Sequence, residues 1–361
     1  MSRPRICVCV NGPREKTNGV RVRELFRDVA AEADVRFLYR DDSRRLASTA
    51  RFCREILAMR PEVVFVEGIG FTGILAGLFA RLICGSRMIL STGDAAYAFA
   101  RACMSAGRAM VVGVLEWAAL HASDAIVVWG PFHKQLLEKR GFRNVFWIPG
   151  GVDTRLFRPL DATALRAQLG IDGCLTIGVV GSINLNQRNG FCYGWEVVEV
   201  VNRLKHLPVA GIVVGPGDGI AYLQQRAREY GIEDRIICTG WIDHDALPAY
   251  VNAIDICVST QSNDLVGQVR ITAKVPEYLA CGRFIIATAV GGAQEFVKDC
   301  GLLLPSRGVK DDEYVDALAR AVAVVVDDRN RLLVGRNGVD VALRHFDYGV
   351  LRPKLREVLE F

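Results

Sequence analysis

The chain has 361 residues, 51% of them hydrophobic and 24% charged. That balance excludes a disordered, collagen-like or low-complexity polypeptide and is long enough for two domains with separate cores. The 45 basic and 40 acidic residues leave a net charge of +5, which suits a polyanionic ligand or an anionic membrane face, or is a solvated basic surface; no basic run with interleaved aromatics points to nucleic acid. Ser2–Arg5 lead straight into a short strand, so no signal peptide is expected. The 11 cysteines form no CxxC pair; Cys7, Cys9 and Cys257 lie in apolar runs and read as small buried hydrophobes of a reducing compartment.

Short apolar runs read as buried strands: Ile6–Val10, Val63–Val66, Met88–Leu90, Ala125–Val128 and Phe146–Pro149. Between them lie helical lengths at Val20–Ala31, Ser43–Met59, Phe71–Cys84 and Ala98–Leu120. Gly68–Ala80 is too short to span a bilayer, and Met110–Leu120 carries Glu116 and follows Arg108, so both read as helices of a buried-sheet protein. A connecting helix follows at Leu160–Gly173. The alternation then restarts with Thr176–Val180, Ala210–Val214, Arg235–Cys238, Ile254–Val258, Phe284–Ala287 and Leu302–Leu304, and ends in helices Asp312–Val326, Arg329–Arg344 and Tyr348–Glu360. Continuous apolar strands alternating with helices predict two doubly wound parallel sheets in series, with a boundary near residue 160.

Four loops at strand ends carry the chemistry. Asn11–Arg23 (NGPREKTNGVRVR) follows the first strand. Gly12 and Gly19 permit close backbone approach, and helix amides after Gly19 can face an anion or sugar hydroxyl; a plain flexible loop fits equally well. The spacing is not GxGxxG, so a dinucleotide fingerprint is absent. Trp147–Pro159 (WIPGGVDTRLFRP) reads as strand then turn, with Gly150 and Gly151 supplying unusual backbone angles. Val180–Gly190 (VGSINLNQRNG) is the first loop of the second half. In residues 270–295 (RITAKVPEYLACGRFIIATAVGGAQE), Pro276 favours a helix starting close by, Gly282 ends it, and Gly291–Gly292 turn beneath the next helix. Lys274 lies near the helix start, where the macrodipole disfavours a cation; an anion such as a diphosphate sharing the site resolves the conflict. The five histidines are scattered, without metal-ligand spacing.

These motifs resemble those of family 4 retaining glycosyltransferases. Residues 149–159 are similar to the family's PNGVD…F.P segment, with Gly150 in place of the Asn. The loop 180–190 resembles the one whose two basic residues clamp the donor diphosphate: Gly181 matches, Ser182 replaces the first Arg, and Arg188 keeps the later charge unless it is a solvated loop arginine. Residues 274–295 resemble the donor signature Glu-x7-Glu…A.G.PVVA…GG..E. Glu277 matches the second, ribose-binding Glu, an exposed helix acid being its alternative, and Val269 occupies the first Glu's register. Lys274, Glu277, Tyr278, Ala280 and Gly282 follow the variant SP.K..EY.A.G, in which the lysine stabilises the leaving diphosphate. Arg270 and Thr272 stand beside it, and Asn263, Asp264 or Gln268 are candidates to replace the lost acid. Gly291 and Gly292 either approach the ligand or make a plain turn, and Glu295 either touches it or caps the turn. Gly215, in VVGPGD, resembles the element flooring the base, and Ile242 would lie near that base. In the first half, Gly93 holds a register where many members carry His. Asp94 is placed either for an acceptor hydroxyl or as the cap of the next helix. Gly19 and Arg21 are further acceptor-side candidates, with Glu116 and His133 behind them.

The resemblance covers nearly the whole chain and implies an α/β fold of GT-B type: two facing Rossmann-like doubly wound parallel-sheet domains with a cleft between them. Residues 1–160, with a C-terminal helix at about 346–361 packing back on them, would form the acceptor side, and 161–345 the nucleotide-sugar side. It implies retaining transfer of a sugar from a nucleotide diphosphate donor to a glycan, lipid-linked or small-molecule acceptor, in polysaccharide, lipid-linked glycan or glycoconjugate biosynthesis. Arg188, Lys274 and Asp94 would be the catalytic groups. No metal or other cofactor is expected, because fixed cations can stabilise the leaving group and no DxD-like pair stands out. The expected location is cytoplasmic, with peripheral contact at the inner membrane face left open. Ser182 and Val269 suggest the alternative, a catalytically decayed nucleotide- or glycan-binding protein; an epimerase on a similar scaffold fits the GVDTRLF loop poorly.

Overall fold

The apolar runs become strands with no solvent-facing side. Val63–Glu67, Leu175–Val180 and Val209–Val214 are buried throughout, as expected where helices cover both faces of a parallel sheet. The computed structural model describes residues 3–40, 44–186, 190–308 and 310–359. The first sheet contains β1 (Arg5–Val10), β2 (Asp34–Tyr39), β3 (Val63–Glu67), β4 (Arg87–Thr92), β5 (Ala125–Val128) and β6 (Val145–Trp147), all parallel, in the order β2-β1-β3-β4-β5-β6. The second begins with β7 (Leu175–Val180), followed by an antiparallel pair outside the sheet, β8 (Leu185–Asn186) and β9 (Phe191–Cys192). It continues with β10 (Val209–Val214), β11 (Ile236–Cys238), β12 (Ile256–Ser259), β13 (Phe284–Thr288) and β14 (Gly301–Leu304), in the order β11-β10-β7-β12-β13-β14.

Contacts group Met1–Gly151, Asp264–Ile271 and Phe346–Phe361 into one unit, and Val152–Asn263 with Thr272–His345 into another. The sequence reading had put 264–271 with the second half. In the structure that segment packs on the end of β5, where a Cβ added to Gly130 would collide with the Val269 carbonyl. Helix Tyr348–Leu359 buries Leu351, Leu355 and Val358 in the same core as Ile6, Val8 and Phe65. Its Tyr348 ring also explains Gly151, whose backbone is ordinary but whose Cβ position the ring occupies.

Several elements differ from expectation. β2 was not anticipated, because its alternating pattern (DVRFLY) belongs to an edge strand that is only partly covered. Ala98–Leu120 is two helices, Ala96–Cys103 and Ala106–Ala122, broken at Met104–Ser105, where Ser105 is extended. The expected helix Val20–Ala31 is Thr17–Leu25 followed by a single turn, Val29–Glu32. No helix among the described residues is long and apolar enough to cross a membrane.

Candidate functional site

In open α/β sheets, ligands gather at the carboxyl ends of strands where the strand order switches sides. In the second sheet that point lies between β7 and β12. The loops around it are bare. Gly181, Gly215 and Gly217 have φ of 146°, 130° and 157°, and a Cβ on Gly215 would strike the Gly181 carbonyl. The Gly181 N–H donates to Val214 O at 2.9 Å and the Gly215 N–H to Gly240 O at 3.1 Å. These glycines are therefore demanded first by the chain's own loop-on-loop packing. Ile242 is half-buried; the preceding Trp241 is 62% exposed and offers a flat aromatic face that the sequence reading passed over. Ser182 is exposed, and Arg188 lies outside the described residues.

Lys274 opens the short helix Lys274–Ala280. Its ammonium donates to the Tyr193 hydroxyl and lies 3.7 Å from that ring's centroid. The hydroxyl's own proton points to Val258 O, 3.3 Å away on β12, so its lone pair is left for the lysine. Burial keeps the phenol well above its usual pKa and therefore neutral. Glu196, in the first turn of helix Trp195–Arg203, is 1% exposed. One carboxyl oxygen accepts from Thr260 Oγ1 at 2.9 Å, and the other has no partner among the described residues. Burial pushes this carboxyl up, while the Thr260 bond and Lys274 hold it back. Tyr193, Glu196, Phe191, Trp195 and Thr260 line a recess of about 120 Å³. Neither Tyr193 nor Glu196 was a sequence candidate; the available signal was the YGWE run, with Gly194 at φ 92° turning directly into the helix.

Glu277 follows one turn after Lys274. Loss of solvent pushes its carboxyl up to about 8, with Lys274 opposing. Tyr278 is fully buried and accepts the Val180 N–H at 2.7 Å, tying this helix to the end of β7. Thr272 Oγ1 is buried with no partner among the described residues. Gly291, at φ 54°, and Gly292 precede the single turn Ala293–Phe296, on which Glu295 is exposed. Gly282, at φ 63°, ends the Lys274 helix, as its sequence position predicted.

The first unit corrects several expectations. Arg21 is 1% exposed. It donates to both oxygens of the buried Glu67 at 3.1 and 2.9 Å, to Ser91 Oγ at 3.1 Å, and to the carbonyls of Pro149 and Ile148 at 3.2 and 2.7 Å. It also lies 4.6 Å from the Trp129 ring centroid. A guanidinium 1% exposed and bonded through all three nitrogens within the fold is not presented to an acceptor. Helix Thr17–Leu25 begins before Gly19, and the close approach at Gly19 is by the carbonyls of Arg14 and Pro13, so its bareness serves the loop rather than a ligand. Asp94 does not cap the helix that follows it: Glu116 accepts from the N–H groups of Ala96 and Tyr97 at 2.7 and 3.1 Å. Asp94 instead pairs with Arg270, whose guanidinium lies 5.0 Å from the Phe99 ring centroid. Arg270, expected beside Lys274 on the donor side, is thus partnered within the first unit. His133 is 4% exposed, its pKa is driven down to about 4 by burial, and its Nδ1 has no partner among the described residues.

Residues 174–328 match the sequence profile of the family described as Glycosyl transferases group 1. The 2-deoxystreptamine N-acetyl-D-glucosaminyltransferase of Streptomyces fradiae is 31% identical over 153 residues, covering 39% of this chain and 34% of that protein. The D-inositol 3-phosphate glycosyltransferase of Kribbella flavida is 27% identical over 201 residues, covering 53% of this chain and 45% of that one. The chain therefore spans a third to a half of the length of these relatives. Among solved structures, Anabaena HepE in complex with UDP and glucose superposes with a TM-score of 0.77 at 16% identity, covering 98% of this chain and 99% of that one. Sucrose-phosphate synthase from Thermosynechococcus elongatus gives 0.73 at 18% identity, covering 98% of each chain. These two likenesses show the fold, an α/β architecture of GT-B type with a six-stranded parallel sheet in each half.

Proposed function

We propose that this protein is a nucleotide-sugar-dependent glycosyltransferase whose donor site is the strand-end cluster of the second unit, and that it transfers the sugar with retention. The observation that carries the reading is Lys274, held on Tyr193 between two carboxyls, Glu196 and Glu277, whose ionisation burial disfavours. A lysine beside carboxyls whose charge is disfavoured in this way keeps a positive field that a diphosphate can share. The profile match over residues 174–328 and the relatives' printed activities support the same reading.

In this mechanism the bond between the anomeric carbon and the diphosphate oxygen breaks as the acceptor hydroxyl oxygen bonds to that carbon on the same face. The acceptor's proton passes to the departing diphosphate. Negative charge grows on the diphosphate, so a fixed ammonium stabilises the transition state more than the ground state. Lys274 supplies that charge with Arg188 as its second source, and no metal is required. Glu277 serves the ribose, and Gly181, Gly215, Ile242, Thr272, Gly291 and Gly292 border the nucleotide.

The test is a thermal-shift panel of UDP, GDP, ADP and their sugars, followed by transfer assays with the donor that binds. A shift with one nucleotide and turnover of its sugar are expected; UDP comes first because the HepE structure holds it. Binding with neither donor hydrolysis nor transfer would favour the decayed alternative, which the exposed Ser182 and the fully buried, apolar Val269 make concrete.

A further inference from the structure

Between Asp94 and Glu116 the chain carries two charged side chains, Arg101 and Arg108, and no acid. This stretch forms helix Ala96–Cys103 and most of helix Ala106–Ala122, packed together where Tyr97 covers Gly113. Every residue from Arg101 to Arg108 is exposed. On the second helix Met110 (67% exposed), Val111, Val114 (61%) and Trp117 (62%) fall at helical spacing on one outward face, with Met104 exposed at the junction. Four large apolar side chains aligned on one helix face form a contiguous patch, the kind that marks an interaction surface.

We propose that this helical hairpin docks on an anionic membrane surface, its apolar face entering the interface and Arg101 and Arg108 reaching lipid phosphates. Charge selects this occupant. Neither arginine has an ion-pair partner among the described residues, and a basic rim around an apolar stripe matches anionic headgroups. A second copy of the chain is disfavoured, because a symmetric contact would set arginines against arginines with no acid in the stretch to offset them. The proposal is independent of the donor chemistry, since none of these residues belongs to the candidate donor site.

The experiment is flotation of the full chain with phosphatidylcholine vesicles, with and without about one-third phosphatidylglycerol. The wild type should float with the anionic vesicles and not with the neutral ones. Val114→Glu should cut that partition by about tenfold or more, through the cost of burying a carboxylate. Arg101→Gln and Arg108→Gln should each weaken it by roughly fivefold, and high salt should mimic them. All three side chains are exposed, so the melting temperature should stay at the wild-type value. The proposal is overturned by no flotation with anionic vesicles or by flotation indifferent to Val114→Glu. It is equally overturned if sedimentation velocity shows a dimer that Val114→Glu dissolves, which would make the patch a self-interface.

Discussion

Each six-stranded sheet has a point where its strand order switches sides, and the two points are filled in opposite ways. Between β1 and β3 the protein occupies the crevice itself. Asn11 donates to Gly68 O at 2.7 Å and accepts from the Gly73 N–H at 2.9 Å, while Arg21, Glu67 and Ser91 close a satisfied network behind it. Between β7 and β12 the loops are glycines, and behind them lie a lysine on a tyrosine hydroxyl and a buried carboxyl with one oxygen lacking a partner among the described residues. One architecture thus yields a structural knot in one unit and an electrostatically unsettled cluster in the other. The unsettled one is where chemistry is expected, because groups held away from their preferred charge state are typical of sites awaiting a ligand.

The largest effect that tests this contrast is on the structural side. Arg21→Met leaves Glu67 buried without its cation, which should cost about 3–5 kcal/mol in denaturant unfolding. The double variant Arg21→Met/Glu67→Met should recover much of that loss, and nucleotide affinity of the folded protein should not move. A loss below about 1 kcal/mol would mean the pair is not what closes the first unit. On the other side, Lys274→Ala should lower turnover by about 100- to 1000-fold, the usual cost of deleting a group that stabilises transition-state charge, while the protein melts as before. Unchanged turnover would remove the leaving-group role. Tyr193→Phe keeps the ring and deletes only the hydroxyl that holds the ammonium; roughly a tenfold fall in kcat with little change in KM is expected. An equal loss in both would make Tyr193 a binding residue rather than a positioning one.

Much of this layout was legible from residue patterns. Runs such as LTIGVV and VAGIVV have no polar face, so they could only be buried parallel strands, and both are. Gly282 was readable as a helix stop because nothing but a left-handed glycine fits there cheaply. The edge strand Asp34–Tyr39 escaped because its burial alternates. In the sites, the lysine and glutamate were visible as a spacing, 274 to 277, within one element. What stayed hidden were partners distant in sequence: Tyr193 under Lys274, Glu67 around Arg21, and Arg270 on Asp94. Arg21 read as an acceptor-side candidate because its carboxylate lies 46 residues away on a strand. A single sequence reports periodicity and local conflict, whereas pairings across the sheet depend on the topology that brings strand ends together.

The sharpest probe of the second unit is a pH dependence whose sign is fixed by linkage. In the folded chain the Glu277 carboxyl holds its proton up to about pH 8, against an ordinary value of 4.5. Between those limits the native state binds more protons than the unfolded state, so stability falls as pH rises, and the loss is complete above the native pKa. Gln cannot ionise. The melting temperature of Glu277→Gln should therefore gain on the wild type from pH 4.5 to pH 8 and hold a constant lead above that. A diphosphate drawn to Lys274 would repel an ionised Glu277. Wild-type nucleotide affinity should accordingly decline above pH 8 while that of Glu277→Gln stays flatter. A melting difference that does not vary with pH would mean that this carboxyl is well solvated. The contrast between a closed and an unsettled switch point would then rest on Glu196 and Lys274 alone.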